Sequence, residues 1–424
     1  RDQPRSRGLG DVYKRQRYNG PHISFNSQTS YQYIQDKMGI DQDFSPRNIF
    51  YGQNKIRQHM YCQEFTVKSV NKSRYHWITG AFVFRQTINR KVDLSRFTDT
   101  TRHLTNSGIP TQGIAFYHQS TLDLLQGLSC SVGLRYDYEH ARCDFSKVQQ
   151  LLNGNGETKS LEQFNRSLHF GQFTPRFSMQ YLSSHNQLFY ASVSKGYKAG
   201  GFNVSFLNND DYLYSPEYNW NYEIGTKLSF LNNRLSADLS LFYIDWRNQQ
   251  ITNTIPTVGN VIRNAGRSRN KGIEASFQAR PTKSWMMYMN YGYTDARFVH
   301  YQKEERGILK DYGGNYLPMV PRHTFSLTTG YSFYDICSWI DRLTLNAGVS
   351  VTGPIYWYED NQAKQSPYAL VNLRISINKG CFTWEVWSKN LTNTDYLSYY
   401  FVTSKAYAQK GKPITLGTSV SISL

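Results

Sequence analysis

The feature that most constrains this sequence is a two-residue alternation of apolar and polar side chains over long segments. In LTLNAGVSV, residues 343–351, the odd positions hold Leu, Ala or Val and the even positions hold Thr, Asn, Gly or Ser. Successive side chains of a β-strand point to opposite faces, so this segment predicts a strand with one apolar and one polar face. The alternation recurs in residues 235–243, 325–333 and 414–424, and no comparable window favours the helical period.

The alternation predicts an all-β chain with about sixteen strands, most of them roughly 12–16 residues long. The predicted strands are 22–36, 55–69, 74–88, 111–126, 128–141, 169–184, 186–199, 219–231, 234–250, 267–280, 283–298, 320–334, 342–357, 367–379, 381–396 and 412–424. Ordinary strands have about five or six residues, whereas a tilted strand needs about 9–11 to cross the lipid layer. The pattern therefore predicts a transmembrane antiparallel β-barrel, built as a meander.

The connections between these strands alternate between short and long. The short ones are 71–73, 126–127, 184–185, 232–233, 281–283 and 379–380, together with 335–341 of intermediate length. The long ones are 89–110, 142–168, 200–218, 251–266, 299–319, 358–366 and 397–411. Short periplasmic turns and long extracellular loops are typical of outer-membrane barrels.

Composition excludes several other classes of protein. No stretch approaches eighteen consecutive apolar residues, which excludes a helical membrane protein, and 15% aromatic residues exclude a disordered chain. The five Cys form no CxxC motif, so neither a zinc finger nor a disulfide framework is indicated. The net charge of +17 comes from dispersed residues, so we expect no nucleic-acid partner, and an anionic ligand or lipopolysaccharide contact would account for it.

Nine charged residues within the predicted strands have the parity of the lumen face. Those predicted to point inward are Arg135, Asp137, Glu139, Glu223, Lys227, Glu274, Arg374, Glu385 and Lys389. An Arg or Lys on the lipid face at mid-depth would cost about 2–4 kcal/mol. We expect most of these charges to pair across the barrel wall.

The first residues do not fit the pattern. Residues 1–17 carry six basic and two acidic residues, have no periodicity, and contain GLGDVYKRQ, which resembles translated adapter sequence more than protein. We therefore expect residues 1–17 to be a non-native or disordered leader, and residues 18–424 to form the barrel.

No motif indicates catalysis, a metal or a cofactor. His59 and Cys62 are separated by an odd number of residues, so on a strand they would face opposite sides. HExxH, P-loop and GxSxG motifs are missing, and GYKAGG at 196–201 has no GK[ST] ending. We predict a protein that is not an enzyme, with no catalytic, cofactor-binding or metal site.

Several segments resemble the barrel of TonB-dependent outer-membrane receptors. They are LFYASVSKGYKAGGFN (188–203), YNWNYEIGTKLSFLNNRLSADLSLFYIDWRNQQI (218–251), NAGRSRNKGIEASFQARPTKSWMMYMNYGYTDARF (264–298), VPRHTFSLTTGY (320–331), WSKNLTNTDY (387–396) and the final GKPITLGTSVSISL. The resemblance implies a bacterial outer-membrane barrel of about 22 strands closed by an N-terminal plug. It also implies import of siderophore–iron, haem, cobalamin or glycans, energised by an inner-membrane TonB complex.

This sequence departs from the family pattern in three ways. The plug with its TonB-contacting segment is not present, roughly the first six strands of the family barrel are not present either, and the last residue is Leu424 rather than an aromatic one. We therefore expect a fragment of a longer gene, which would meet the TonB complex only through the missing plug. We expect a monomer in contact with outer-membrane lipid and lipopolysaccharide.

Other function classes remain open from the residues alone. A passive sixteen-stranded porin suits the strand count, although GYKAGGFN and NLTNTDY are not porin motifs. An outer-membrane enzyme is disfavoured because no nucleophile–base pair emerges. A soluble all-β binding protein is disfavoured by the strand length and by the alternation of connection lengths.

The candidate site for a small-molecule ligand lies in two late loops, 354–366 and 397–411. They contain the predicted ligand contacts Tyr356, Trp357, Tyr358, Tyr399, Tyr400, Lys405 and Tyr407, with Lys410 nearby. Aromatic rings supply rigid contact area, and lysines supply positive charge for an anionic ligand. The alternative is that these rings pack the loops against one another or form the upper aromatic girdle.

Overall fold

The protein is almost entirely β-structure. A computed structural model describes residues 11–41, 46–70, 73–152, 157–255, 259–264, 266–305, 308–402 and 405–423. These residues form 27 strands and one short 3₁₀-helix, Asn209–Tyr212. Within the same ranges there is no helix with the length and apolarity needed to cross a bilayer.

The strands fall into long strands of one large sheet and short strands in the connections. The first eight are β1 Asp11–Asn19, β2 Ile23–Asp41, β3 Phe50–Ser69, β4 Tyr75–Arg96, β5 Thr101–Leu125, β6 Leu128–Leu151, β7 Thr158–Leu182 and β8 Leu188–Lys198. The next ten are β9 Gly201–Phe202, β10 Leu213–Tyr214, β11 Glu217–Phe230, β12 Leu235–Arg247, β13 Gln250–Ile255, β14 Gly259–Asn264, β15 Arg267–Ala279, β16 Trp285–His300, β17 Gln302–Glu305 and β18 Ile308–Asp311. The last nine are β19 His323–Cys337, β20 Ile340–Thr352, β21 Ile355–Tyr356, β22 Lys364–Gln365, β23 Tyr368–Lys379, β24 Phe382–Lys389, β25 Leu397–Val402, β26 Ala406–Lys410 and β27 Thr415–Ile422.

Seventeen long strands form one antiparallel meander. The strands pair in the order β1, β2, β3, β4, β5, β6, β7, β8, β11, β12, β15, β16, β19, β20, β23, β24, β27. Among the residues that the structure describes, no pairing joins β1 to β27, so each has one free edge. The predicted all-β antiparallel meander is confirmed, with β1 added to the sixteen predicted strands.

The additional strand lies partly in the predicted leader. Residues 11–17 belong to β1, which pairs with β2 from Asp11 opposite Gln32 to Asn19 opposite Ser24. The expectation of a disordered segment is therefore wrong for residues 11–17. The segment forms a strand because backbone hydrogen bonding to an edge strand does not require alternating apolar and polar side chains. Val12, Tyr13 and Tyr18 stay largely exposed. The remaining residues of the leader, 1–10, lie outside the described ranges, and the division of the chain at residue 18 stays a prediction.

Four strands are much longer than predicted. Strands β4 to β7 have 22 to 25 residues each, so the predicted connections 89–110 and 142–168 shrink to 97–100 and 152–157. The predicted strand 381–396 instead ends at Lys389. Ladder hydrogen bonds do not depend on side-chain polarity, so the hairpins continue beyond the segment in which apolar and polar side chains alternate.

The meander separates two ends of the sheet. The turn end carries the connections 126–127, 183–187, 231–234, 280–284, 338–339 and 380–381, and the loop end carries 199–216, 248–266, 301–322, 353–367 and 390–414. Ile422 pairs with Phe382 at the turn end. The short turns predicted at 126–127, 184–185, 232–233 and 281–283 therefore lie at one end of the sheet, whereas Leu424 and residues 71–72 of a predicted turn lie outside the described residues.

The two faces of the sheet differ as predicted. On β6, Val132, Leu134 and Tyr136 are more than 40% exposed on the outward face, whereas Asp137 on the opposite face is 8% exposed. The inward charges make contacts along the wall. These contacts are Arg135 to Asp137 at 2.7 Å, the Tyr197 hydroxyl to Glu139 at 2.9 Å, the Tyr190 hydroxyl to Glu223 at 2.6 Å, Arg374 to Glu385 at 3.8 Å, and Lys389 over the Trp387 ring.

Inward aromatic rings lie across glycines of the neighbouring strand. Tyr117 on β5 covers Gly80 on β4, and its hydroxyl donates to Glu64 at 2.8 Å. A Cβ at residue 80 would collide with this ring and would lie 2.7 Å from the carbonyl oxygen of Phe65. Gly80 is therefore required by close packing within the wall.

Gly80→Ala is expected to destabilise the barrel by about 1–3 kcal/mol, because the ring of Tyr117 must move away and its hydrogen bond to Glu64 is lost. The free energy of unfolding in urea, measured after reconstitution into lipid vesicles, tests this. Gly133→Ala is the control, because a Cβ there meets nothing closer than 3.7 Å. Equal stability of the two variants would contradict the packing argument.

Candidate functional site

The predicted aromatic residues lie in two neighbouring loops at the loop end. Strands β21 and β22 form a small hairpin in 353–367, and β25 and β26 form another in 390–414. Of the predicted ligand contacts, Trp357 is buried and Tyr399 is 43% exposed. Lys405 is exposed beside residues 403–404, which lie outside the described ranges.

Most of these rings come together. Trp357 lies 6.4 Å from both Tyr399 and Tyr400, measured between ring centroids, and Tyr358 lies 6.2 Å from Tyr400. The backbone N–H of Val402 donates to the Tyr358 hydroxyl at 2.6 Å. The two loops are thus joined through aromatic contacts, with the exposed ring of Tyr399 on the surface. We call Trp357, Tyr358, Tyr399 and Tyr400 the ring cluster.

The remaining predicted residues are placed differently. Tyr407 stacks on Phe401 at 5.2 Å within the β25–β26 hairpin. The amine of Lys410 lies 3.5 Å from the carboxylate of Asp395. Ligand contact by any of the predicted residues stays a prediction.

Tyr356 stacks on Tyr316 of the preceding loop instead of joining the ring cluster. Their centroids are 5.4 Å apart with an interplanar angle of 7°. The guanidinium groups of Arg297 and Arg322 lie 3.9 and 4.8 Å from the Tyr316 centroid. The sequence analysis missed this arginine–tyrosine stack, because no local pattern shows that loops 301–322 and 353–367 meet.

Another loop folds onto the inner face of the wall. Phe206 and Tyr212 from 199–216 pack against Phe145 and Phe164 of β6 and β7, with centroid distances of 4.5–6.0 Å. The Tyr212 hydroxyl donates to Glu162 at 2.7 Å, and burial together with this carboxylate raises the pKa of Tyr212 to about 12. The loop therefore narrows the mouth of the barrel on this side.

An ion pair with a buried carboxylate connects this loop to the next one. Arg263 donates to both carboxylate oxygens of Asp211, at 2.7 and 2.8 Å. Asn203 spans the same two loops through its contacts with Asp211 and Ile262. The hydrogen bonds from Arg263 lower the pKa of Asp211 more than burial raises it.

Basic side chains lie together on the inner face of the long hairpins β4–β5 and β6–β7, where Arg96 also lies 3.7 Å from the carboxylate of Asp99. Burial lowers the pKa of His103, and the neighbouring charges of Lys147 and Arg96 lower it further. Burial and Arg96 likewise lower the pKa of Lys147. The sequence analysis missed these residues because it ended the strands before them. If the predicted strand 74–88 had been continued with the same alternation, Arg96 would have been assigned to the inward face.

No described residues form a group of three or more His, Cys, Asp or Glu that could hold a metal ion. His59 contacts the Tyr31 hydroxyl at 3.0 Å through Nδ1 and packs against the ring of Tyr33. The mouth instead combines aromatic rings with clustered cations. This combination suits a ligand that is anionic and carries flat or apolar groups.

Comparisons with a family model and with curated proteins indicate the same family. Residues 4–393 match the family model described as "TonB dependent receptor-like, beta-barrel". The pesticin receptor of Yersinia pestis is 23% identical over 354 residues, which are 80% of this chain and 48% of that protein. The probable TonB-dependent siderophore receptor PiuA of Acinetobacter baumannii is 26% identical over 241 residues, 53% of this chain and 30% of the relative.

A solved structure shows the same fold. The ferric yersiniabactin uptake receptor FyuA from Yersinia pestis matches with a TM-score of 0.80 and 19% identity, covering 97% of this chain and 60% of that one. The chain spans about half the length of the pesticin receptors it matches.

Asp211→Asn is expected to loosen the connection between loops 199–216 and 248–266 by about 2 kcal/mol, because hydrogen bonds to a charged group are lost. Hydrogen-exchange protection of residues 203–213 measures this, and Asp210→Asn is the control because Asp210 is exposed.

The same contact predicts a pH dependence. Because the folded-state pKa of Asp211 is lowered, its contribution is fully present above the ordinary carboxyl pKa of about 4 and is lost as the pH falls through the lower folded value. Protection factors should therefore stay constant between about pH 7 and 5 and fall below about pH 4 in the native chain. Unchanged protection in the Asp211→Asn variant would contradict the role of this ion pair.

Proposed function

The chain belongs to the TonB-dependent receptor-like β-barrel family, and from this premise we propose that it forms the barrel of a receptor that imports a scarce ligand, with a ferric siderophore as the first candidate. It is a protein of the bacterial outer membrane, and its family is one of receptors rather than enzymes. Transport of a siderophore is proposed from the names of its relatives together with the chemistry of the loop end.

The observation that carries the proposal is the mouth of the barrel. Exposed Tyr399 and the partly exposed Tyr400 offer rings to a ligand, while Trp357 is buried beneath them and holds them in place. Lys147 and Arg96 add positive charge on the inner face of β6 and β4 at the loop end. Catecholate, phenolate and carboxylate groups of ferric siderophores match both features, through ring contact and through charge.

Energy coupling through TonB is the second part of the proposal. A passive pore of sixteen strands is the competing function, and it requires a closed barrel with an open lumen. Loop 199–216, packed against the inner wall, supports a narrowed mouth that binds a ligand before passage.

Uptake of iron-55 bound to catecholate, hydroxamate and phenolate siderophores by cells with and without the gene tests the proposal. For the cognate class, uptake should saturate with concentration and should stop when a protonophore collapses the proton gradient, since import is energised. Uptake that rises linearly with concentration and resists the protonophore would favour the passive pore. Haem and cobalamin extend the panel if no siderophore is taken up.

Tyr399→Ala and Tyr400→Ala are each expected to weaken binding of the cognate ferric siderophore about 10-fold, because exposed aromatic rings in a binding surface carry much of the affinity. Outer-membrane abundance should stay unchanged. Tyr334→Ala is the matched control, an exposed tyrosine, 53% accessible, near the turn end. Wild-type affinity in both loop variants would remove the ring cluster from the binding site.

A further inference from the structure

Three contacts between a tyrosine and a histidine repeat along the sheet with the same geometry. In each, a tyrosine hydroxyl lies 3.0–3.1 Å from Nδ1 of a histidine on the neighbouring strand. The three contacts are Tyr31 with His59, Tyr138 with His169 and Tyr291 with His323. All three lie on the outer face, because the histidines share strand parity with the exposed side chains of Phe65, Phe173 and Tyr331.

The three contacts differ in the ring that lies directly opposite the histidine. A tyrosine lies opposite His59 and opposite His323, whereas His140 lies opposite His169. The rings of His140 and His169 stack with centroids 4.5 Å apart and an interplanar angle of 15°. We call these two residues the histidine pair. Among the described strand pairings, no other places two histidines directly opposite each other.

The histidine pair lies at the loop-end border of the lipid-facing surface. On β6, His140 has the parity of the exposed Leu134 and Tyr136. The next outward side chains beyond it are Arg142 and Asp144, which pair with each other at 3.0 Å. One ring of the pair is exposed and the other is half-buried. Because the apolar outward side chains end here, dissolved ions reach the pair from the water side.

Two imidazoles at directly opposed positions can share one metal ion. The Cβ atoms of such residues are about 4.5–5.5 Å apart, and a Zn–N bond is about 2.0–2.1 Å long. Rotation of the two side chains therefore brings one nitrogen of each ring to a common ion.

The hydrogen bonds of the two rings determine which nitrogens are open to a metal. The Tyr138 hydroxyl occupies Nδ1 of His169, so Nε2 of His169 is the nitrogen left for an ion. With Nε2 bound to an ion, Nδ1 carries the proton and donates to the Tyr138 oxygen, a contact of the kind that orients metal-binding histidines. Among the described residues, His140 makes no side-chain hydrogen bond, which leaves its ring nitrogens open as well.

An ion at this position would join two strands where one of them has a single strand neighbour. Strand β7 pairs with β6 from Thr158 onward, but its described pairing with β8 begins only at Arg176. Residues 158–175 of β7 are therefore held by backbone pairing along one side. His169 lies within this segment, so a shared ion would add a second link between β7 and β6.

We propose that the histidine pair binds a divalent transition-metal ion such as Zn²⁺, Ni²⁺ or Cu²⁺ on the outer wall and thereby cross-links β6 and β7. Imidazole nitrogens suit these ions, whereas Mg²⁺ and Ca²⁺ prefer oxygen ligands. Water fills the remaining coordination positions, because no group of three or more His, Cys, Asp or Glu that could hold a metal is found among the described residues. This site is separate from the mouth and does not depend on the proposed transport function.

Isothermal titration calorimetry with Zn²⁺ as the probe, on the detergent-solubilised chain without a polyhistidine tag, tests the proposal. His140→Tyr builds the arrangement found at His59 and His323, so a ring still packs on His169 while one metal ligand is lost. We expect Zn²⁺ affinity to fall on the order of 100-fold, since losing even the partner that orients a metal-binding histidine costs about 10–100-fold. His323→Ala is the matched control and should bind Zn²⁺ as the wild type does. Ca²⁺ should not bind at the pair.

Hydrogen exchange provides a second measurement on the same proteins. Saturating Zn²⁺ should raise the protection of residues 158–175 in the wild type and leave it unchanged in His140→Tyr. The β-sheet circular dichroism signal verifies that each variant is folded. Equal Zn²⁺ affinity of the wild type and His140→Tyr, an equal loss of affinity in His323→Ala, or unchanged protection of the wild type with Zn²⁺ would overturn the proposal and leave the pair as ring packing alone.

Discussion

A chain in lipid must pair each backbone N–H and C=O with its own backbone, and the rest of this structure depends on that constraint. The meander meets it between its two edges by pairing each long strand with the next long strand, from β1 to β27, and each of these two edge strands keeps one free edge among the described residues. Connections then fall alternately at two ends, which gathers all the long loops on one side. The mouth of the barrel, with its ring cluster and inward cations, is a consequence of this topology.

The same constraint explains which strands could be predicted. Within the bilayer one face meets lipid and the other meets the lumen, so β12 and β20 show strict alternation and were located from the sequence. Beyond the lipid both faces of a strand are polar, as at Asn89, Arg90 and Lys91 of β4. Because alternation is lost there, the sequence pattern predicts a loop. The ladder nevertheless continues to Arg96 because the hairpin partner is already in register.

The candidate site was predictable only in part. Aromatic residues concentrated in two loops identified the ring cluster, because composition alone distinguishes these loops. The stack of Tyr356 on Tyr316 could not be predicted, since it joins residues 40 positions apart through loops with no shared pattern. Assigning Lys147 and His103 to the inward face would have required knowing that β5 and β6 continue as far as these residues.

Strand register also determines which face of the sheet each strand cation occupies. On β4, Lys91 points outward and Arg96 points inward, because they are separated by an odd number of residues. The inward residues His103 and Lys147 are partly buried, and this burial lowers the pKa of each, whereas the outward cations are exposed. A slip of one residue in the ladder would exchange every side chain between the two faces. The short turn 97–100, which fixes the β4–β5 register with Arg96 opposite Thr101, therefore determines both the charge of the mouth and the charge of the outer wall.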